Sequence, residues 1–248
     1  VCTLTLKECM GAQNLPASYL PIWFFFKLPI IILFGIFLFF VVEKKINKDS
    51  LNSIILSSLG FSVLSIIFLL IIFNVNLYDE LRQVMFLVPL IFIISLAFLN
   101  YFSKRIFNFS LIFFIIFFVF QNIKIYPYNY IWINNFSHIT KVQNVFELDY
   151  WGVSTKTIAD YIENNNIKNN HCFITNRNHT IKSLVPKKQC FKDFKYLHSN
   201  NKRPFYVALL ERSLNKGTPN NCKLIYEETR NINFSNEKLS LAKIFKCD

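Results

Sequence analysis

Residues 53–73 read SIILSSLGFSVLSIIFLLIIF and contain no charged side chain. A helix needs about 20 mostly apolar residues to cross a bilayer core, and this run supplies them. Three neighbouring runs meet the same expectation: 22–42, with Lys27 near its outer end, 84–102, and 106–125, with Lys124 at its end. Lipid offers the backbone no hydrogen-bond partner, so each run is expected to be a helix. The expected fold class is therefore a polytopic α-helical membrane protein of about four transmembrane helices, followed by a small soluble α/β domain. The boundary falls near Tyr126, giving a transmembrane region over 1–126 and an extracytoplasmic C-terminal domain over 127–248.

Composition agrees with two solvents in one chain. Of 248 residues 53% are hydrophobic and 29 are Phe, and the apolar excess sits before Tyr126. The first residue is Val1, and no basic leader with a small-residue cleavage site follows it, so the chain reads as a fragment or a processed product. Further functional residues are expected upstream. Asn164-Asn165-Asn166 reads as a solvated loop.

Orientation follows from Lys and Arg in short loops. Lys44, Lys45 and Lys48 follow the first run, and Lys104 and Arg105 follow the third. These loops are expected to be cytoplasmic. The 74–83 loop, the N-terminal stretch and the C-terminal domain then face outward. Most of the 27 basic residues lie in the C-terminal part, but long domains translocate largely regardless of charge. Cys2, Cys9, Cys172, Cys190, Cys222 and Cys247 all fall in the outward segments, where disulfides persist. Cys172–Cys190 and Cys222–Cys247 are candidate pairings among several. No C-x-x-C or H-x-x-x-H spacing points to zinc.

The C-terminal part opens with Tyr126-Pro127-Tyr128-Asn129-Tyr130 and Trp132, an interfacial belt or a substrate surface. Residues 154–164 carry Ile158, Ala159, Tyr161 and Ile162 at helical spacing. Strand-like runs follow at 172–175, 205–210, 223–227 and 239–245. The positive balance (+12 over the whole chain) suits anionic headgroups or a phosphate-bearing ligand, and nucleic acid is not an expected partner outside a membrane.

Chemistry concentrates in three places. The 74–83 loop holds Tyr78, Asp79, Glu80 and Arg82; an Arg fork at a membrane surface suits a phosphate, and an adjoining acid can orient it or bind a divalent metal. The same Asp79 and Arg82 could instead cap the third helix. Glu147, Asp149, Tyr150 and Trp151 form the second place, either gripping a sugar or marking a helix start with Ser154 as cap. In the third, Pro16, Pro21 and Pro29 shape the way into the first run, and Lys27 snorkels to water or meets a headgroup.

Several of these segments, in order, resemble the C-terminal half of bacterial membrane glycosyltransferases of the C-type superfamily, similar to dolichyl-phosphate-mannose–protein mannosyltransferases. They are Leu15-Pro16-Ala17-Ser18-Tyr19-Leu20-Pro21-Ile22-Trp23 with Lys27-Leu28-Pro29, Tyr78-Asp79-x-x-Arg82 with Phe86 and Pro89, Tyr126-Pro127-Tyr128-x-Tyr130 with Asn134, and Glu147-Leu148-Asp149-Tyr150-Trp151-Gly152. The likeness runs to about Ala159. It implies transfer of a hexosyl or pentosyl group from a polyprenyl-phosphate donor to an extracytoplasmic acceptor, by an integral protein of the plasma (inner) membrane. It implies Arg82 at the lipid phosphate, with Tyr78 and Asp79 shaping the site, and a catalytic base upstream of Val1. Asn135-Phe136-Ser137-His138 departs from the family's Gly-Gly turn. A non-catalytic component of envelope-polysaccharide assembly or anchoring is the alternative. A transporter ranks third, since Gly35 and Gly60 are the only glycines within the runs and no acid or base sits mid-run. Asn135, Asn178 and Asn233 lie in N-x-S/T triplets, which matter only in a eukaryotic lumen.

Overall fold

In the computed structural model the described residues are 2–42, 51–139, 142–165, 167, 171–176, 178–185, 189–193, 205–211, 219, 221–232 and 238–247. The expectations placed on Lys44, Lys45, Lys48, Asn166 and Asn233 lie outside them. The chain forms two compact units, Val1–Ile123 with Ile133–Lys141, and Lys124–Trp132 with Val142–Asp248.

The first unit opens with a hairpin of β1 (Cys2–Thr5) and β2 (Glu8–Gly11), with Thr5 opposite Glu8. Its two-residue turn has positive φ at Leu6 (50°) and Lys7 (72°). Five helices follow: α1 (Tyr19–Lys27), α2 (Ile30–Val42), α3 (Leu51–Ile72), α4 (Leu87–Phe102) and α5 (Lys104–Ile125).

The four-span expectation is corrected here. Among the described residues two helices are long and apolar enough to cross a membrane, Ser53–Ile72 and Phe107–Ile125. The 22–42 run is not one helix. Pro29 brings no N–H and forces Leu28 into extended backbone (φ −87°, ψ 142°), so α1 stops at Lys27 and α2 restarts with 13 residues. The 84–102 run loses its first turn to a 3₁₀ segment at Arg82–Val84, leaving 16 residues in α4. At 1.5 Å per residue such helices reach about 20–24 Å, short of a core of about 30 Å. The chain is thus not a four-span helical bundle with an appended domain: it has eight helices and a five-stranded sheet among the described residues.

Helices α2 and α4 pack through a small-residue crossing. Ser95 donates its hydroxyl to the Ile32 carbonyl (2.8 Å), and a Cβ at Gly35 would come within 2.5 Å of the Ser95 carbonyl oxygen. Phe39 stacks edge-on against Phe98 and Phe61, and Gly60 leaves the space its ring fills. The long helices α3 and α5 bury only 11% of their apolar stretches; Phe61, Phe68, Phe109, Phe113, Ile116 and Ile123 face outward.

The second unit contains α6 (Val142–Val145), α7 (Thr155–Asn164), β3 (Cys172–Thr175), α8 (Asn178–Leu184), β4 (Cys190–Asp193), β5 (Phe205–Leu210), β6 (Cys222–Asn231) and β7 (Lys238–Cys247). Sheet order is β4-β3-β5-β7-β6. β3 runs parallel to β4 and β5, while β7 is antiparallel to β5 and β6. β5 is buried at all six positions, as its unbroken apolar run FYVALL requires of a central strand. Ile158, Ala159 and Ile162 of α7 and Ile181 of α8 pack on one sheet face with Phe173, Tyr206, Ala208 and Ile244; Ile174, Val207, Leu209 and Phe245 form a second cluster. Disulfides Cys172–Cys190 and Cys222–Cys247 join neighbouring strands, the two pairings named from the sequence. Cys9 is also disulfide-bonded.

Candidate functional site

The 74–83 loop of the first unit is held in a conformation that costs energy. Asp79 (φ 56°) and Glu80 (φ 61°) are both left-handed, which non-glycine residues adopt at about 1–2 kcal/mol each. Tertiary contacts hold them there. The Asp79 N–H donates to Thr3 Oγ1 (3.2 Å). The Tyr19 hydroxyl accepts the Glu80 N–H (3.1 Å) and donates to the Glu80 carbonyl (3.4 Å). Burial pushes the Tyr19 phenol above its ordinary range, so it remains a donor. The Glu80 carboxylate pairs with Lys27 Nζ at 2.7 Å, with the Lys27 side chain only 11% exposed and that of Glu80 4%. Lys27 also lies 5.8 Å from the centre of the Trp23 ring, whose indole N–H donates to Thr5 (3.1 Å). Lys27 therefore turns inward to an acid; the snorkelling expected from sequence is not what it does.

Arg82 projects from this anchored loop with 46% of its side chain exposed, 3.5 Å from the Asp79 carboxylate. The Asp79 side chain is only 10% exposed, so the half-exposed guanidinium is tied to a carboxylate seated in the loop. The two do not cap α4, which begins five residues later at Leu87. Tyr78, 39% exposed, gives its backbone N–H to Gln83 Oε1 (2.8 Å). Within the same unit an apolar cleft of about 240 Å³ is lined by Phe24, Leu28, Phe39, Val63, Ile91 and Ile94.

In the second unit the 147–151 stretch divides by burial. Glu147, Asp149 and Tyr150 are 5%, 2% and 6% exposed, whereas Trp151 is 56% exposed. Asp149 accepts the N–H groups of Val153 (3.0 Å) and Ser154 (3.4 Å), just ahead of α7, together with the hydroxyls of Tyr130 and Ser154. It thereby occupies the anion position at that helix start, where Ser154 makes no side-chain cap of its own. Gly152 turns the chain at φ 69°. Burial pushes the Asp149 carboxyl up, opposed by its four donors, and burial beside Asp149 keeps Tyr130 protonated. Directly after β5, Glu211 accepts the N–H groups of Leu148 (3.0 Å) and Asp149. Its burial outweighs these donors and raises its pKa to about 8.

Sequence reasoning thus found Tyr78, Asp79 and Arg82 in one loop and Glu147, Asp149, Tyr150 and Trp151 in another, each inside its own unit. It missed what holds them: Thr3, Tyr19 and the Lys27–Glu80 pair in the first, Tyr130 and Glu211 in the second. Lys27 inside an apolar run, and Glu211 closing one, were the available signals, since a buried charge needs a partner. Among the described residues no group of three or more His, Cys, Asp or Glu side chains is arranged to hold a metal ion. No protein-family model matches the chain, and no curated protein or solved structure matches it.

Proposed function

We propose that the chain belongs to an integral membrane glycosyltransferase using a polyprenyl-phosphate sugar donor, and that Arg82 meets the donor's phosphate. The observation that carries this reading is the Arg82 guanidinium, half-exposed and aimed by Asp79 from a loop held under backbone strain. A fixed cation at the interface stabilises charge growing on a leaving phosphate without reorganising. The outward apolar surfaces of α3 and α5 support membrane residence, and the apolar cleft beside α1–α4 suits a prenyl chain. The two disulfides support an extracytoplasmic second unit. Glu147, Asp149 and Tyr150 act as the internal frame of their loop, and Trp151 is its accessible ring.

The test is transfer of label from a polyprenyl-phosphate-linked sugar in membranes expressing the complete reading frame. Arg82→Ala is expected to lower transfer by about 100-fold or more with insertion unchanged. Arg82→Lys recovers part of it, keeping charge without the fork. Transfer equal to wild type in Arg82→Ala removes Arg82 from the mechanism and favours an assembly or anchoring role.

A further inference from the structure

We infer that one face of the second unit, carrying Tyr126, Trp151 and Val153, rests in the phospholipid headgroup layer. The inference relies on the reading of α5 as membrane-inserted. Tyr126, Trp151 and Val153 are 70%, 56% and 38% exposed, and Tyr126 and Trp151 are the most exposed large apolar side chains of the second unit among the described residues.

Tyr126 and Trp151 are each tied into the interior of the unit. The Tyr126 carbonyl accepts from Arg230 Nε (3.3 Å), and the Arg230 guanidinium lies 5.0 Å from the centre of the Tyr128 ring. Tyr128 donates to Thr157 Oγ1 (3.3 Å). Tyr130 packs on Tyr150 (5.8 Å between centres), which packs on Trp151 (6.2 Å). Asp149 and Glu211 hold the backbone of the loop by accepting the Val153 and Leu148 N–H groups. The outward rings are thus presented by a rigid frame.

Two further observations select lipid as the occupant. Tyr126 follows the last residue of α5 directly, so an inserted α5 delivers it to the interface within one residue's reach. Exposed Lys124 and Lys156 flank the rings in sequence, the pairing of aromatic belt and cation that an anionic headgroup layer favours.

The experiment reconstitutes the full chain in phosphatidylcholine–phosphatidylglycerol vesicles with acyl chains brominated near the headgroup or near the bilayer centre. The fluorescence of Trp151 is read as the difference between wild type and Trp151→Phe. The expected result is loss of the Trp151 component with shallow bromines and little loss with deep ones. If the chain floats with the vesicles but Trp151 is quenched by neither, the docking inference falls while membrane residence stands. If Trp151 stays unquenched and its emission shifts with millimolar methyl glycosides, the ring is a sugar platform and the inference is likewise overturned. A chain that does not float at all removes the membrane reading itself.

Discussion

Each unit fixes one short loop with a buried carboxylate, and the two use different partners. In the first unit Glu80 answers a cation, Lys27, and the strained turn is set by hydroxyls from Thr3 and Tyr19. In the second, the described partners of Asp149 and Glu211 are N–H and O–H groups. A charge pair tolerates burial only while both members remain, because one alone is left in a poor solvent. A carboxylate held by neutral donors can instead take up a proton. The contrast predicts different ways to break each loop.

The largest effect is expected from Glu80→Ala, which takes the carboxylate from the Lys27 ammonium and lowers the stability of the first unit by about 3–5 kcal/mol. Hydrogen exchange should then accelerate across 19–28 and 74–86, while β5 and β7 stay protected. The double change Lys27→Met, Glu80→Leu should recover most of the loss. Equal acceleration in both units would dissolve the distinction.

Next in size is a pH effect confined to the second unit. Glu211 titrates near 8 when folded against an ordinary 4.5, so the native state binds the proton more tightly than the unfolded chain. Stability from this group is full below about 4.5 and is lost as pH rises through 8. Protection of the Leu148 and Asp149 amides should fall between pH 5 and pH 8. Glu211→Gln, which keeps an acceptor, should flatten that fall. An unchanged slope in Glu211→Gln would assign the effect elsewhere.

The smallest effect tests strain itself. Leu6 and Lys7 sit in a hairpin turn that demands positive φ at both positions, a geometry Asn-Gly adopts easily. Leu6→Asn with Lys7→Gly should stabilise the hairpin by about 1 kcal/mol, read as slower exchange of the Thr5 and Glu8 amides. The strained pair at 79–80 differs because Glu80 also carries the ion pair, so glycine there should cost stability.

Much of the second unit was legible locally. The runs expected at 172–175 and 205–210 coincide with β3 and β5, those at 223–227 and 239–245 lie within β6 and β7, and the helix expected at 154–164 is α7. Periodicity carries that information because burial of one face is a local property. β4 and α8 were not anticipated; each is short, and neither has enough turns or alternations to rise above its polar neighbours. Hydropathy misled in the first unit for a related reason. A window average over 22–42 ignores that Pro29 removes one hydrogen bond and restricts Leu28, though Lys27-Leu28-Pro29 was in plain view.

By itself the sequence marked four apolar runs, of which α3 and α5 have the length for a lipid-crossing helix, and the strand-like runs that fall in β3, β5, β6 and β7. Only the tertiary structure decided what holds the candidate site. Tyr19 meets the backbone of Glu80 across 61 residues, and Glu211 meets that of Asp149 across 62. Chain chemistry at either end announces a need for a partner, and only the fold, by closing those distances, chooses which partner answers it.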